Sequence, residues 1–149
     1  MLTLYFEDLV PGRTFDCGAK TVTEEEIIRF GVEFDPQPFH IDVQAARASP
    51  FGGLIASGVH TFAIFTRLLA DAVMVDVANL GGAGVNDLRW FAPVRPGDTL
   101  HARATILDGT RPSRSRDDRG VVMLRGELHR DDGALIWHAT VISVVARRP

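Results

Sequence analysis

The chain has 149 residues, enough for one domain spanning 1–149 that buries roughly two-thirds of its surface on folding. An apolar share of 46% and a charged share of 23% belong to an ordinary globular protein, and a net charge of −3 excludes a broad basic face for nucleic acid or anionic membrane. The one cysteine, Cys17, excludes an intrachain disulfide and fits a reducing cytoplasm.

The opening run MLTLYFEDLV carries acids and lacks the basic start of a secretory signal. In RTFDCGAKTV, Phe15, Cys17, Ala19 and Thr21 alternate with Asp16, Gly18 and Lys20, which is the period of a strand and makes Cys17 a small core residue. Thr23 in TEEE can then cap a helix while Glu26 reaches back to it. Ile27, Phe30 and Phe34 follow at helical spacing and would line one buried face. This helix should stop at Phe34, because Pro36 disfavours the α conformation at Asp35. Further on, DVQAARAS reads as a short helix with Asp42 at its cap.

FGGLIASG leads into the most apolar part of the chain. A helix is expected from about Gly58 to Val75, with Phe62, Phe65, Leu69 and Ala72 as its buried stripe and His60, Arg67 and Asp71 along a polar seam. Those polar positions, with Asp76, argue for a core helix rather than a membrane span. GGAG, residues 81–84, lacks the Lys-Ser/Thr of a phosphate loop and reads as a turn. The second half reads as strands: AGVNDLRWFAPV, TLHARATIL, GVVMLRGELHR and ALIWHATVISVVAR, with turns at RPGD and DDG. Within the second of these, Leu100, Ala102, Ala104 and Ile106 alternate with His101, Arg103 and Thr105. The fold class is α+β, an antiparallel sheet wrapped around one long apolar helix.

The chemistry concentrates in FDPQPFHID. Asp35 and His40 would stand about 17 Å apart on an extended chain, but the two prolines favour a bent, stiff path on which they can converge. A carboxylate and an imidazole on one cavity can take and give protons at a water molecule. The plainer alternative is a turn-forming aspartate and a hydrogen-bonded structural histidine. At the start of the apolar helix, the N–H groups of Ser57, Gly58 and Val59 lack intrahelical partners and favour developing negative charge, such as a carbonyl oxygen. Gly58 would let that carbonyl approach the backbone. Equally, the glycines can serve close helix–sheet packing, and Ser57 a simple cap, with no adjacent histidine to make it a nucleophile. The histidines His40, His60, His101, His129 and His138 show no ligand spacing, so no metal is expected. His101 and His129 fall on outward strand positions.

These residues carry a family resemblance. The run D-x-x-P-x-H-x-D, with Asp35, Pro38, His40 and Asp42, followed by Phe51 to Gly58, resembles the MaoC-like dehydratases, which include the (R)-specific enoyl-CoA hydratases. LRWFAPVRPGDTL, residues 88–100, is similar to that family's second recurring segment. The resemblance implies a hot-dog fold paired into a homodimer. It further implies reversible syn addition of water to a trans-2-enoyl thioester, giving the (R)-3-hydroxyacyl thioester. Asp35 would take a proton from the water, His40 would deliver one to the α-carbon, and the Gly58 amide would hold the thioester oxygen, with Ser57, Val59 and Phe51 nearby. No cofactor is implied beyond coenzyme A or acyl carrier protein as part of the substrate. Two departures stand out. Many relatives carry histidine where Ser57 stands, and Thr66, aligned with a pocket-lining polar position, can instead bond the carbonyl of Phe62. The polar run RPSRSRDDRG offers Arg111, Arg114, Arg116 and Arg119 as a solvated hairpin or as a contact for coenzyme A phosphates. Phe39, Phe51 and Phe62 could shape the acyl pocket. The alternatives are a thioesterase, for which the long helix offers only Asp71 near its far end, and a non-catalytic acyl-binding subunit.

Overall fold

The computed structural model describes residues 2–149. Strands β1 (Thr14–Thr21), β2 (Asn79–Trp90), β3 (Thr99–Ile106), β4 (Arg111–Pro112), β5 (Arg119–Arg130) and β6 (Leu135–Ala146) form one antiparallel sheet. Its order is β1-β3-β5-β6-β2, with the two-residue β4 beside β5. The helices are α1 (Glu24–Phe34), α2 (Pro38–Ile41), α3 (Val43–Ala48) and α4 (Gly58–Ala72). The long helix α4 packs on the inner face of β1, β3 and β5, so the sheet wraps a central helix in the expected hot-dog arrangement.

Alternation in β3 and β5 builds the wall behind α4. Leu100, Ala102, Ala104 and Ile106 are buried while His101 and Arg103 face solvent, and Gly120, Val122, Leu124, Gly126 and Leu128 are buried on β5. Ala104 pairs with Gly126, and Phe65 of α4 seats where Gly126 has no side chain; a Cβ there would overlap the Phe65 ring. Phe65 and Trp137 are both fully buried, with ring centroids 4.8 Å apart. His101 and His129 face each other on the outer face, His101 paired with Asp131.

In β1 the expected alternation breaks halfway. Cys17 is buried, but Ala19 and Thr21 are exposed. The register with β3 shifts between Asp16 and Ala19, where Gly18 takes a φ of 78°. One extra residue at this bulge turns every later side chain to the opposite face. The Cys17 thiol is pushed up to about 11 by burial, with the charge of Asp16 adding to it.

Helix α1 starts and stops where the sequence indicates. Thr23 Oγ accepts from the Glu26 N–H at 3.2 Å, while the Glu26 carboxylate pairs with Lys20 at 2.9 Å. Its inward face is Ile27 and Gly31 rather than Ile27, Phe30 and Phe34. Helix α2 folds back over Gly31, where an added Cβ would stand 2.9 Å from Ile41 Cγ2. Phe34 therefore points outward, 64% exposed, with Phe30 half-buried beside it.

In α4 the buried positions are His60, Thr61, Ile64, Phe65 and Leu69. His60 was expected on a polar seam; α1 covers it, and its ring stacks on Phe30 at 4.6 Å. Ala72, expected inside, is exposed, and Phe62 is half-buried against Trp137. The helix ends at Ala72 rather than Val75, and a 3-10 turn, Met74–Asp76, follows. GGAG is not a turn. It lies inside the edge strand β2, where register irregularities at Asn79/Gly81 and Gly82/Gly84 use its glycines. Among the described residues, no helix is long and apolar enough to cross a membrane.

Candidate active site

Asp35 caps the end of α1, and its carbonyl accepts the Gln37 N–H at 2.8 Å. Pro38 then opens α2 in the first helical position, where a missing N–H leaves no gap in the hydrogen bonding. Two residues on, His40 points back toward Asp35. The prolines shape a helical turn, not merely a bent loop, and it brings His40 Nε2 to 3.4 Å from Asp35 Oδ2. His40 is buried, and its Nδ1 lies 2.7 Å from the Ile55 carbonyl oxygen. A carbonyl only accepts, so Nδ1 carries a proton and Nε2 is the atom turned to Asp35. In the neutral ring, Nε2 would face a carboxylate oxygen as one acceptor against another. The pair is satisfied only by a proton on Nε2 or by a donor lodged between them.

Three groups hold the Asp35 carboxylate. Gln37 Nε2 donates to Oδ1 at 2.7 Å, Ser57 Oγ donates to Oδ2 at 2.7 Å, and His40 completes the set. The hydrogen bonds from Gln37 and Ser57 keep the carboxyl below its usual range against an opposing effect of burial, with the His40 charge adding the smallest contribution. FGGLIASG is fixed between neighbours, the Ile55 N–H donating to Phe39 and the Ala56 N–H to Val94. It delivers Ser57 to the cap of α4.

These residues open onto a cavity of about 520 Å³ whose other walls include Phe39, Phe51, Val59, Trp90 and Phe91. Gly58 lies on its floor. The indole of Trp90 covers it so closely that a Cβ at Gly58 would stand 2.7 Å from Cε2, and Nε1 donates to the Gly58 carbonyl at 3.1 Å. The Val59 N–H is already engaged by Ser57 Oγ at 3.3 Å, whereas no partner takes the Gly58 N–H among the described residues. Of these two amides, Gly58 is the better placed to meet a carbonyl oxygen, at the positive end of a 15-residue helix.

Asp35, His40, Ser57, Gly58, Val59 and Phe51 all line the cavity. Thr66 does not: it is exposed, and its hydroxyl donates to the Phe62 carbonyl at 3.0 Å, as helical threonines do. Phe62 is likewise absent from the walls, being stacked on Trp137 at 5.4 Å. The arginine run sits at the opposite end of the sheet. Arg119 begins β5, about 30 Å along the strand from Leu128, the residue paired with Trp137 near the cavity. No local pattern signals that Ser57 reaches Asp35 across 22 positions, nor that Trp90 roofs Gly58. Gln37, two residues from Asp35, is a site residue whose nearness in the chain is the signal for it. Among the described residues, no three His, Cys, Asp or Glu side chains gather in a way that could hold a metal ion.

The MaoC like domain model matches residues 8–124. A solved structure of the MaoC-like dehydratase from Rhodospirillum rubrum superposes with a TM-score of 0.88 at 44% identity, covering 98% of this chain and 99% of that one. The (R)-specific enoyl-CoA hydratase of Rhodospirillum rubrum is 33% identical over 104 residues, 68% of this chain and 69% of that protein. Protein MaoC of Klebsiella aerogenes is 32% identical over 124 residues, 82% of this chain but 36% of that protein, so this chain spans about a third of its length. With the sheet-wrapped helix and the matched segment taken together, the chain belongs to the MaoC-like family.

Proposed function

We propose that this protein is a hydro-lyase that adds water, reversibly and in syn fashion, to a trans-2-enoyl thioester, giving the (R)-3-hydroxyacyl thioester. The observation that carries the reading is the Asp35–His40 pair, 3.4 Å apart at the wall of a cavity whose floor is the start of α4. The thioester oxygen accepts the Gly58 N–H. Water bound at the pair adds through oxygen to C3 as its proton passes to Asp35 Oδ2. His40 Nε2 gives its proton to C2, and the proton now on Asp35 returns to His40 across the short gap, closing the cycle. Acid and base from one short segment meet the same face of the alkene, which is what syn addition requires.

The carrier is coenzyme A or acyl carrier protein, with no further cofactor, in the cytoplasm. A homodimer belongs to the same proposal: β2 is an edge strand, and Leu80, Val85, Trp90 and Phe91 lie exposed on or beside it. A thioesterase would call on Asp71 of α4, but that carboxylate pairs with Arg67 on the solvent side, 2.7 Å away. The test is loss of the conjugated thioester absorbance across a panel of trans-2-enoyl-CoA substrates of varied length. Asp35→Asn is expected to lower the rate about a thousandfold while the protein stays folded; full activity in that variant would overturn the assignment.

A further inference from the structure

We propose that Ser57 is a positioning residue whose buried hydroxyl fixes the Asp35 carboxylate and decides on which side of the Asp35–His40 gap the proton rests. The inference builds on the hydration reading above. Ser57 is fully buried and carries one hydroxyl hydrogen. Its oxygen accepts the Val59 N–H at 3.3 Å, and its O–H donates to Asp35 Oδ2 at 2.7 Å. The first turn of α4 thereby orients the hydroxyl, and the hydroxyl orients the carboxylate. An amide at a helix start polarises the hydroxyl it donates to, which strengthens that hydroxyl as a donor.

Oδ2 is the same oxygen that faces His40 Nε2. A donor on Oδ2 stabilises the carboxylate over the carboxylic acid, so the shared proton stays on the imidazole, the group that must deliver it to carbon. Gln37 makes a comparable bond to Oδ1, but Gln37 is exposed and water can replace it. Ser57 is fully buried, so its bond is less open to exchange with water. The titratable group facing Asp35 is His40, from α2; the lead-in to α4 presents the Ser57 hydroxyl, with His60 lying beyond it against Phe30.

Three variants separate this role from helix capping. Ser57→Ala removes donor and cap together. Ser57→Gly removes the donor but sacrifices little capping, since glycine is nearly as good at that position. Ser57→Thr keeps the hydroxyl. The measurements are kcat and KM against pH on an enoyl-CoA substrate, and the titration of Asp35 followed by carbon NMR in aspartate-labelled protein, assigned with Asp35→Asn. Expected are an upward move of the Asp35 titration and of the acid limb of kcat in both Ala and Gly. A fall in kcat of about tenfold or more with KM nearly unchanged should accompany it, with recovery in Thr. An unmoved titration and pH profile in Ala and Gly would overturn the proposal, as would a loss confined to Ala, the signature of a cap alone. If the wild-type protein hydrates no enoyl thioester, the reaction reading fails, and the Asp35 titration by itself then decides the role of Ser57.

Discussion

At its start α4 and its cap bury Ser57, His60 and Thr61, three polar side chains, whereas from the second turn onward the buried positions are Ile64, Phe65 and Leu69. Two of the first group are tied by hydrogen bonds, Ser57 to Asp35 and Thr61 to the Ser57 carbonyl at 3.4 Å, while His60 stacks on Phe30. The second is held by shape, with Phe65 seated over Gly126 and against Trp137. Leaving a buried polar group unpaired is costly, and the pairing of Ser57 here also holds the Asp35 carboxylate. One helix therefore carries a charge-holding end and a packing end, and substitutions can separate them.

The largest effect is expected at the packing end. Phe65→Ala should lower stability by about 3–5 kcal/mol, read from denaturant unfolding, while kcat per folded molecule stays near wild type. A collapse of kcat at full folding would mean that the two ends are not separate. Trp90→Ala should do the reverse. Trp90 is half exposed but roofs Gly58 and bonds its carbonyl, so kcat/KM should fall about tenfold with little change in unfolding midpoint.

A smaller, pH-dependent effect is expected from His60. Burial holds its pKa below 6.5, partly offset by the charge of Glu26, and Nδ1 has no hydrogen-bond partner among the described residues. The unfolded chain therefore takes up a proton near pH 6.5 that the folded chain resists. Stability should be full above that pH and decline as pH falls toward the lower folded value. Asp35 and Glu26 act only further down, since their carboxyls are lowered in the folded state and lose stabilising charge below the ordinary carboxylate range. His60→Phe should flatten the upper part of a stability–pH curve; an unchanged slope there would assign it elsewhere. The least effect should come from Arg67→Ala, which removes an exposed ion pair with Asp71 on the outer side of α4. Unfolding should shift only slightly, and less still in high salt.

What the sequence disclosed depended on how local the deciding interaction was. The caps at Thr23 and Asp42, the stop before Pro36 and the alternation in β3 are set by neighbours along the chain, and all were readable. The Asp35–His40 approach was also local, and the prolines announced it. His60 was misplaced because its helical spacing groups it with Arg67 and Asp71, while the burying ring, Phe30, comes from another helix. Phe34 failed for the mirror reason: α2 took the place over Gly31 that a regular apolar stripe would fill. In β1 a single bulge at Gly18 inverted Ala19 and Thr21, a change no periodicity reveals beforehand. The Ser57–Asp35 bond joins residues 22 positions apart through a turn, a helix and a return, and only folding makes it visible.

Cys17 has a practical consequence. With its thiol buried and pushed up to about 11, Cys17 carries very little thiolate at neutral pH, and what there is lies on the buried face of β1. The chain is thus close to silent toward maleimides and mild oxidants in its native state. A second cysteine placed at an exposed position such as Thr66 would be labelled almost alone, so a single fluorophore can be attached without first rebuilding a cysteine-free background.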